Sequence, residues 1–224
     1  PFSFRNALRA VWAAAFPRAL TALLFVRQPP GNEKFFRQFA FGYIFLEAMS
    51  GLIPEQLKSV LERNAQALQL RPGIGKGTGK TRVRLREGLT CEIEDGPWKL
   101  TAGVSENSGG ANAGPDPGTF GRGALGSCLA MNYANWAAKL DVPLEAIEVE
   151  VEADYDARGF YGLADLPPGY LEVRYRVKIE SDAPEEAILR VLDAADAHCP
   201  WFDVYRRPQN LKRIVELLPV AKHK

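Results

Sequence analysis

Cysteine and histidine are scarce in this chain: three and two among 224 residues, with no C-x-x-C pair and no Cys/His cluster. That is too few thiols for a stapled secreted scaffold, and a structural zinc site lacks its ligands. Charge of either sign is also not in excess. With 28 Lys+Arg against 27 Asp+Glu the formal net charge is +1, which offers no field to steer nucleic acid. Long hydrophobic runs are missing as well. A membrane span needs about 20 uninterrupted apolar residues, and the best stretch, residues 19–26, is hemmed in by Arg9, Pro17, Arg18 and Arg27. What remains, 46% hydrophobic and 25% charged residues, is the make-up of a globular domain. At this length roughly 70% of the unfolded surface can be buried, so the core needs neither a metal nor a disulfide. No cofactor or metal is expected, and the sparse thiols fit a reducing cytoplasm.

The chain divides by composition. Residues 1–50 carry six basic side chains against two acidic and are rich in aromatics, so residues 1–53 read as an N-terminal appendage and residues 54–224 as the folded domain. Pro54 opens a helix that ends near Leu70, with apolar residues three and four apart. The segment that follows, closing on Gly79-Lys80-Thr81, imitates a phosphate loop but has Ile74 where that motif needs glycine, and it leads into a strand instead of a helix. Residues 81–86, 89–94 and 98–104 alternate apolar and polar side chains around the turns Glu87-Gly88 and Asp95-Gly96, which predicts an antiparallel meander with one wet face. Cys91 falls on its apolar side and reads as a small buried hydrophobe.

Residues 119–140 form the longest predicted helix. Gly121, Gly123 and Gly126 lie within six residues of one another there, at about 1 kcal/mol each relative to alanine. Close approach of another backbone is the compensation expected, and it makes this a buried central helix that brings Cys128 against a neighbour. Two long strands follow, about 146–155 and 170–181. A second helix starts after Ser181-Asp182-Ala183-Pro184-Glu185-Glu186 and stops at Cys199-Pro200. Residues 210–218 read as a final strand. The order of elements predicts an α+β domain with antiparallel sheets.

The segments Gly123-Ala124-Leu125-Gly126-Ser127-Cys128-Leu129-Ala130-Met131 and Ala197-His198-Cys199-Pro200, the spacing of 71 between their cysteines, and the strand-strand-helix block between them resemble the OsmC/Ohr family of osmotically inducible and organic-hydroperoxide-resistance proteins. The resemblance implies a cytoplasmic homodimer of intertwined protomers, with antiparallel sheets around long central helices and active sites near the subunit interface. It also implies a thiol-dependent peroxidase that reduces organic hydroperoxides and is itself reduced by a dithiol. Cys128 would attack the peroxide and Cys199 would close a disulfide with it.

A thiolate is needed for that chemistry. Cys128 lies about ten residues into its helix, beyond reach of the helix dipole, so a guanidinium must stabilise it. One arginine at about 4 Å suffices, worth up to about 4 kcal/mol at an effective dielectric of 20. Arg86 matches the family's position best, with Arg84 and Arg122 behind it. Cys199, just past a helix C-terminus, should be the slower thiol; His198 beside it is read as a bystander. One departure stands out: the family's glutamate ten residues before the reactive cysteine is Gly118 here, which leaves Asp116, Glu87 or Glu106 to hold the arginine. A non-catalytic relative that binds an apolar small molecule in an interface pocket lined by Leu125, Met131, Tyr133, Trp136 and Trp201 is the alternative.

Overall fold

The computed structural model describes residues 52–219. The expected appendage therefore lies, but for its last two residues, outside the described residues. Helix α1, Leu57–Leu70, follows the turn at Pro54, whose carbonyl accepts from the Leu57 N–H. Strands β1 (Arg82–Arg86), β2 (Thr90–Asp95) and β3 (Trp98–Ala102) form the expected meander in the order β1-β2-β3. Gly96 supplies the positive φ of 52° that the β2–β3 turn requires. The register places Val83 opposite Ile93 and Leu85 opposite Cys91, with Leu100 and Ala102 completing one apolar face. That face is not dry in the single chain: Val83, Leu85, Trp98 and Leu100 are all exposed. Among the described residues the apolar face is covered only around Cys91, Ile93 and Ala102, because the helices pack against the other sheet.

Helix α2, Pro117–Leu140, has 24 residues and is about 36 Å long. Asp116 caps it, its Oδ1 accepting from the Thr119 N–H at 2.8 Å, and Pro117 occupies the first turn where no N–H is missed. Leu125, Leu129, Tyr133 and Ala137 are buried in one stripe, four residues apart. They face the sheet made by β4 (Ala146–Tyr155) and β5 (Tyr170–Glu180), which are paired antiparallel, and a short helix α3 (Ala157–Phe160) lies between the two strands in sequence. The inner face carries Ile147, Val149 and Val151 opposite Ile179, Val177 and Tyr175. The outer face is a ladder of charge, with Glu148, Glu150 and Glu152 opposite Lys178, Arg176 and Arg174.

The glycines of α2 divide by role. A Cβ on Gly126 would sit 3.3 Å from Val151 Cγ2 and 3.7 Å from the Val149 carbonyl, so strand β4 does approach there. At Gly121 the only neighbour is the Tyr205 hydroxyl at 3.4 Å, and at Gly123 nothing lies within 4 Å. Close backbone approach therefore explains Gly126 and not its two companions.

Helix α4, Glu185–Ala197, begins after Pro184 with two acids in its first turn and buries Val191 and Ala195 against α2. A further helix, α5, Pro200–Arg206, follows immediately. Cys199-Pro200 ends one helix and starts another, because proline at the first position of a helix costs no hydrogen bond. The strand expected at 210–218 is absent: the segment has no regular secondary structure, with Leu211, Ile214, Leu217 and Leu218 exposed. A strand needs a neighbour to accept its backbone groups, and none adjoins this segment among the described residues. Among the described residues no helix is long and apolar enough to cross a membrane.

Candidate active site

The two cysteines singled out by sequence meet. Cys128, half-buried in the middle of α2, and Cys199, 2% exposed at the α4–α5 elbow, lie with their sulfurs 3.5 Å apart, and both are free thiols. Cys199 belongs to the core cluster of Leu125, Leu129, Tyr133 and Ala195, and Cys128 packs against that cluster from its rim. Cys91 sits elsewhere, on β2 opposite Leu85 and Ala102.

The electrostatics of Cys199 differ from the sequence-based argument. Burial pushes its thiol up, the backbone N–H of Phe202 pulls it down, and the neighbouring Cys128 pushes it up again. The N–H groups come from α5: Cys199 is the residue that opens this second helix, as well as following the first. The net direction is upward, as one expects of a slow partner. The reason is desolvation more than the end of α4.

A carboxylate lies one turn before Cys199. Asp196 accepts from the Tyr133 hydroxyl of α2 at 2.8 Å through Oδ1 and from the Tyr175 hydroxyl of β5 at 2.6 Å through Oδ2. Both phenols are pushed well above their ordinary range, first by burial and then by hydrogen bonding to that carboxylate. Sequence reasoning passed over Asp196 and Tyr175. A signal existed, since an acid in the last turn of a helix opposes the dipole and so asks for a tertiary partner.

Arg86 is on β1, about half exposed, where Nη2 donates to Glu92 Oε2 across the β1–β2 pair at 2.8 Å. Glu92, and none of Asp116, Glu87 or Glu106, is the carboxylate that holds it. No hydrogen bond joins Arg86 to either cysteine within the chain. Arg84 likewise pairs with Glu94 at 3.4 Å. Arg122 donates to the Tyr170 hydroxyl and to Thr119 Oγ1, each at 3.3 Å. Its Nη1 lies 3.2 Å from where a Cβ on Gly118 would stand, so the position that lacks the family's carboxylate adjoins a guanidinium after all. His198 stacks on Trp136 with its Nδ1 2.7 Å from the Ala194 carbonyl oxygen, and both contacts suit a structural ring.

Of the residues expected to line an apolar pocket, Leu125 and Trp201 do so, in a cleft of about 600 Å³ with Tyr170, Tyr175, Phe202 and Tyr205. Tyr133 is instead buried in the core, Trp136 packs on it, and Met131 is exposed to solvent. A smaller cavity of about 290 Å³ is lined by Cys199 and Asp196 together with Phe202 and Arg206. Among the described residues no group of three or more His, Cys, Asp or Glu could hold a metal ion.

Residues 109–212 match the family model of OsmC-like proteins. An OsmC-like protein from Mycoplasma pneumoniae superposes with a TM-score of 0.51 at 14% identity, over 58% of this chain and 89% of that one. An organic hydroperoxide resistance protein OsmC from Legionella pneumophila gives 0.44 at 15% identity, over 58% and 90%. The organic hydroperoxide resistance protein OhrB of Bacillus subtilis gives 0.41 at 17% identity, over 58% and 91%. No curated protein matches the chain. At 14% identity the likeness to the Mycoplasma pneumoniae protein is one of fold.

Proposed function

We propose, from the match of residues 109–212 to the family model of OsmC-like proteins, that the chain is a thiol-dependent peroxidase for organic hydroperoxides. Cys128 is the attacking thiol and Cys199 the resolving one. The observation that carries this reading is the contact of two reduced sulfurs 71 residues apart in sequence, 3.5 Å apart in space, beside an apolar cleft that would take an organic substituent.

The Cys128 thiolate bonds the terminal peroxide oxygen, the O–O bond breaks, and the alkoxide takes a proton and leaves as the alcohol. Cys128 is then a sulfenic acid. Cys199, as thiolate, bonds that sulfur; the S–O bond breaks and hydroxide departs as water with the proton that Cys199 gave up. A dithiol reductant restores both thiols by two exchange steps. The contact makes the second step intramolecular, where well-oriented groups reach very high effective molarities.

Two parts of the reading concern the assembly. We take the functional unit to be a homodimer, because β1–β3 leaves an apolar face uncovered and residues 210–218 present large apolar side chains to solvent. Arg86, carried on that sheet, is the guanidinium assigned to the Cys128 thiolate, with Arg122 its rival within the protomer.

The test is peroxide consumption by the reduced protein with cumene hydroperoxide and a dithiol. Consumption well above that of free dithiol, lost in Cys128→Ser, is expected, together with a Cys128–Cys199 link in mass spectra after one equivalent of peroxide. The absence of a carboxylate at position 118 favours a non-catalytic dimer that binds an apolar ligand in the cleft. Consumption no faster than that of the free dithiol would establish that reading instead.

A further inference from the structure

Three side chains converge on the last turn of α4, and they come from both elements that flank the thiol pair. Tyr133 of α2, five residues after Cys128, and Tyr175 of β5 each occupy one oxygen of Asp196. Next to it Asn132 Nδ2 donates to the Ala195 carbonyl oxygen at 2.6 Å, a carbonyl at the end of α4. Asp196 stands three residues before Cys199, and the chain between them is the elbow where one helix ends and the next begins. The same Tyr133 belongs to the core cluster of Cys199. A half-buried acid with both oxygens taken by phenols is an anchor with a defined direction, since hydrogen bonds to a carboxylate are stronger and shorter than neutral ones.

We propose that Asp196 is a positioning residue for the thiol pair: clamped by Tyr133, Tyr175 and the adjoining Asn132 contact, it fixes the α4–α5 elbow so that Cys199 stays against Cys128 while both are reduced. The inference rests on the reading of these cysteines as a redox pair, not on the identity of the oxidant. In the reduced state an elbow without the anchor wanders, and Cys199 gains freedom; in the disulfide the covalent bond restrains it regardless. Removing the anchor thus favours the reduced form and raises the reduction potential of the pair.

The experiment equilibrates the full-length protein with graded dithiol/disulfide buffers and reads the Cys128–Cys199 link by mass spectrometry. Asp196→Asn keeps the shape but can accept through only one oxygen. About a tenfold weaker disulfide is expected, equal to about 30 mV for a two-electron couple, with smaller rises in Tyr133→Phe and Tyr175→Phe. Alkylation of Cys199 should quicken in the same variants while that of Cys91 stays unchanged. An unaltered potential in Asp196→Asn overturns the proposal, as does equal quickening at Cys91 and Cys199, which marks general loosening. If Asp196→Asn does not fold, the two phenylalanine variants decide by the same criteria. Should the wild type consume no hydroperoxide while Asp196→Asn still shows the potential shift relative to it, the peroxidase reading fails and this one stands.

Discussion

Cys199 illustrates how one residue's surroundings set its task. Its sulfur is in the core, its thiol pushed up by burial, and Cys128 is the thiol that adjoins it. A thiol so placed is inert toward bulk reagents but well placed for one partner. Replacing it should therefore separate the two chemical steps: Cys199→Ser is expected to let Cys128 oxidise once and stall as a sulfenic acid, detected as a dimedone adduct, while multiple-turnover activity with a dithiol falls at least tenfold. Adduct formation in Cys128→Ser at the same rate would exclude the role assigned to Cys128.

The same burial has a consequence for stability. Cys199 is held neutral in the folded state, whereas in the unfolded chain it ionises near its ordinary value of about 8.5. Above that pH the unfolded state binds fewer protons than the folded one, so stability is full below about pH 8.5 and is lost as pH rises toward the folded-state value. Tyr133 and Tyr175, also pushed up, add a second loss above about pH 10. Urea denaturation of the reduced protein should show both declines, and Cys199→Ser should flatten the first.

At the scale of elements, α2 and the β4–β5 sheet were legible in the sequence because their periods are long and unbroken. Nine residues of strict alternation from Ile147 to Tyr155 and more than twenty helical residues from Thr119 to Leu140 leave little ambiguity; the start of the helix at Pro117 and its Asp116 cap read as loop in the sequence. Helix α5 was not legible, since Pro200 is compatible with both an ending and a beginning and seven residues carry little periodicity. The glycine argument was right at one position of three. It yields a contrast that can be measured: Gly123→Ala should raise stability by up to about 1 kcal/mol through helix propensity. Gly126→Ala should gain none of this, because Val151 and the Val149 carbonyl already fill the space. Thermal unfolding of both variants checks it, and destabilisation by Gly123→Ala would mean that a second chain lies against that face of α2.

At the scale of the molecule, the described chain looks half of something. Val83, Leu85, Trp98 and Leu100 share an uncovered sheet face, and the segment after α5 holds exposed leucines with no strand beside it. Surfaces of this kind mark association. The full-length protein is expected to sediment as a dimer, and Leu85→Lys should shift it toward monomer in sedimentation velocity while leaving the far-ultraviolet dichroism intact. Unchanged sedimentation would exclude this face from the interface.

The sequence by itself determined the α+β class, the central helix and the antiparallel pairs, and it singled out Cys128 and Cys199, because each is written in local periodicity or in a motif read along the chain. It also carried the hint that Arg86 is the cation, which the single chain leaves paired to Glu92. Only the tertiary structure decided that the sulfurs meet, that Asp196 is held by two phenols from different elements, and that the second helix ends where a third begins. Those are contacts between residues tens of positions apart. They depend on how α2, β5 and α4 pack, and packing is a property of three-dimensional fit that no spacing along one dimension encodes.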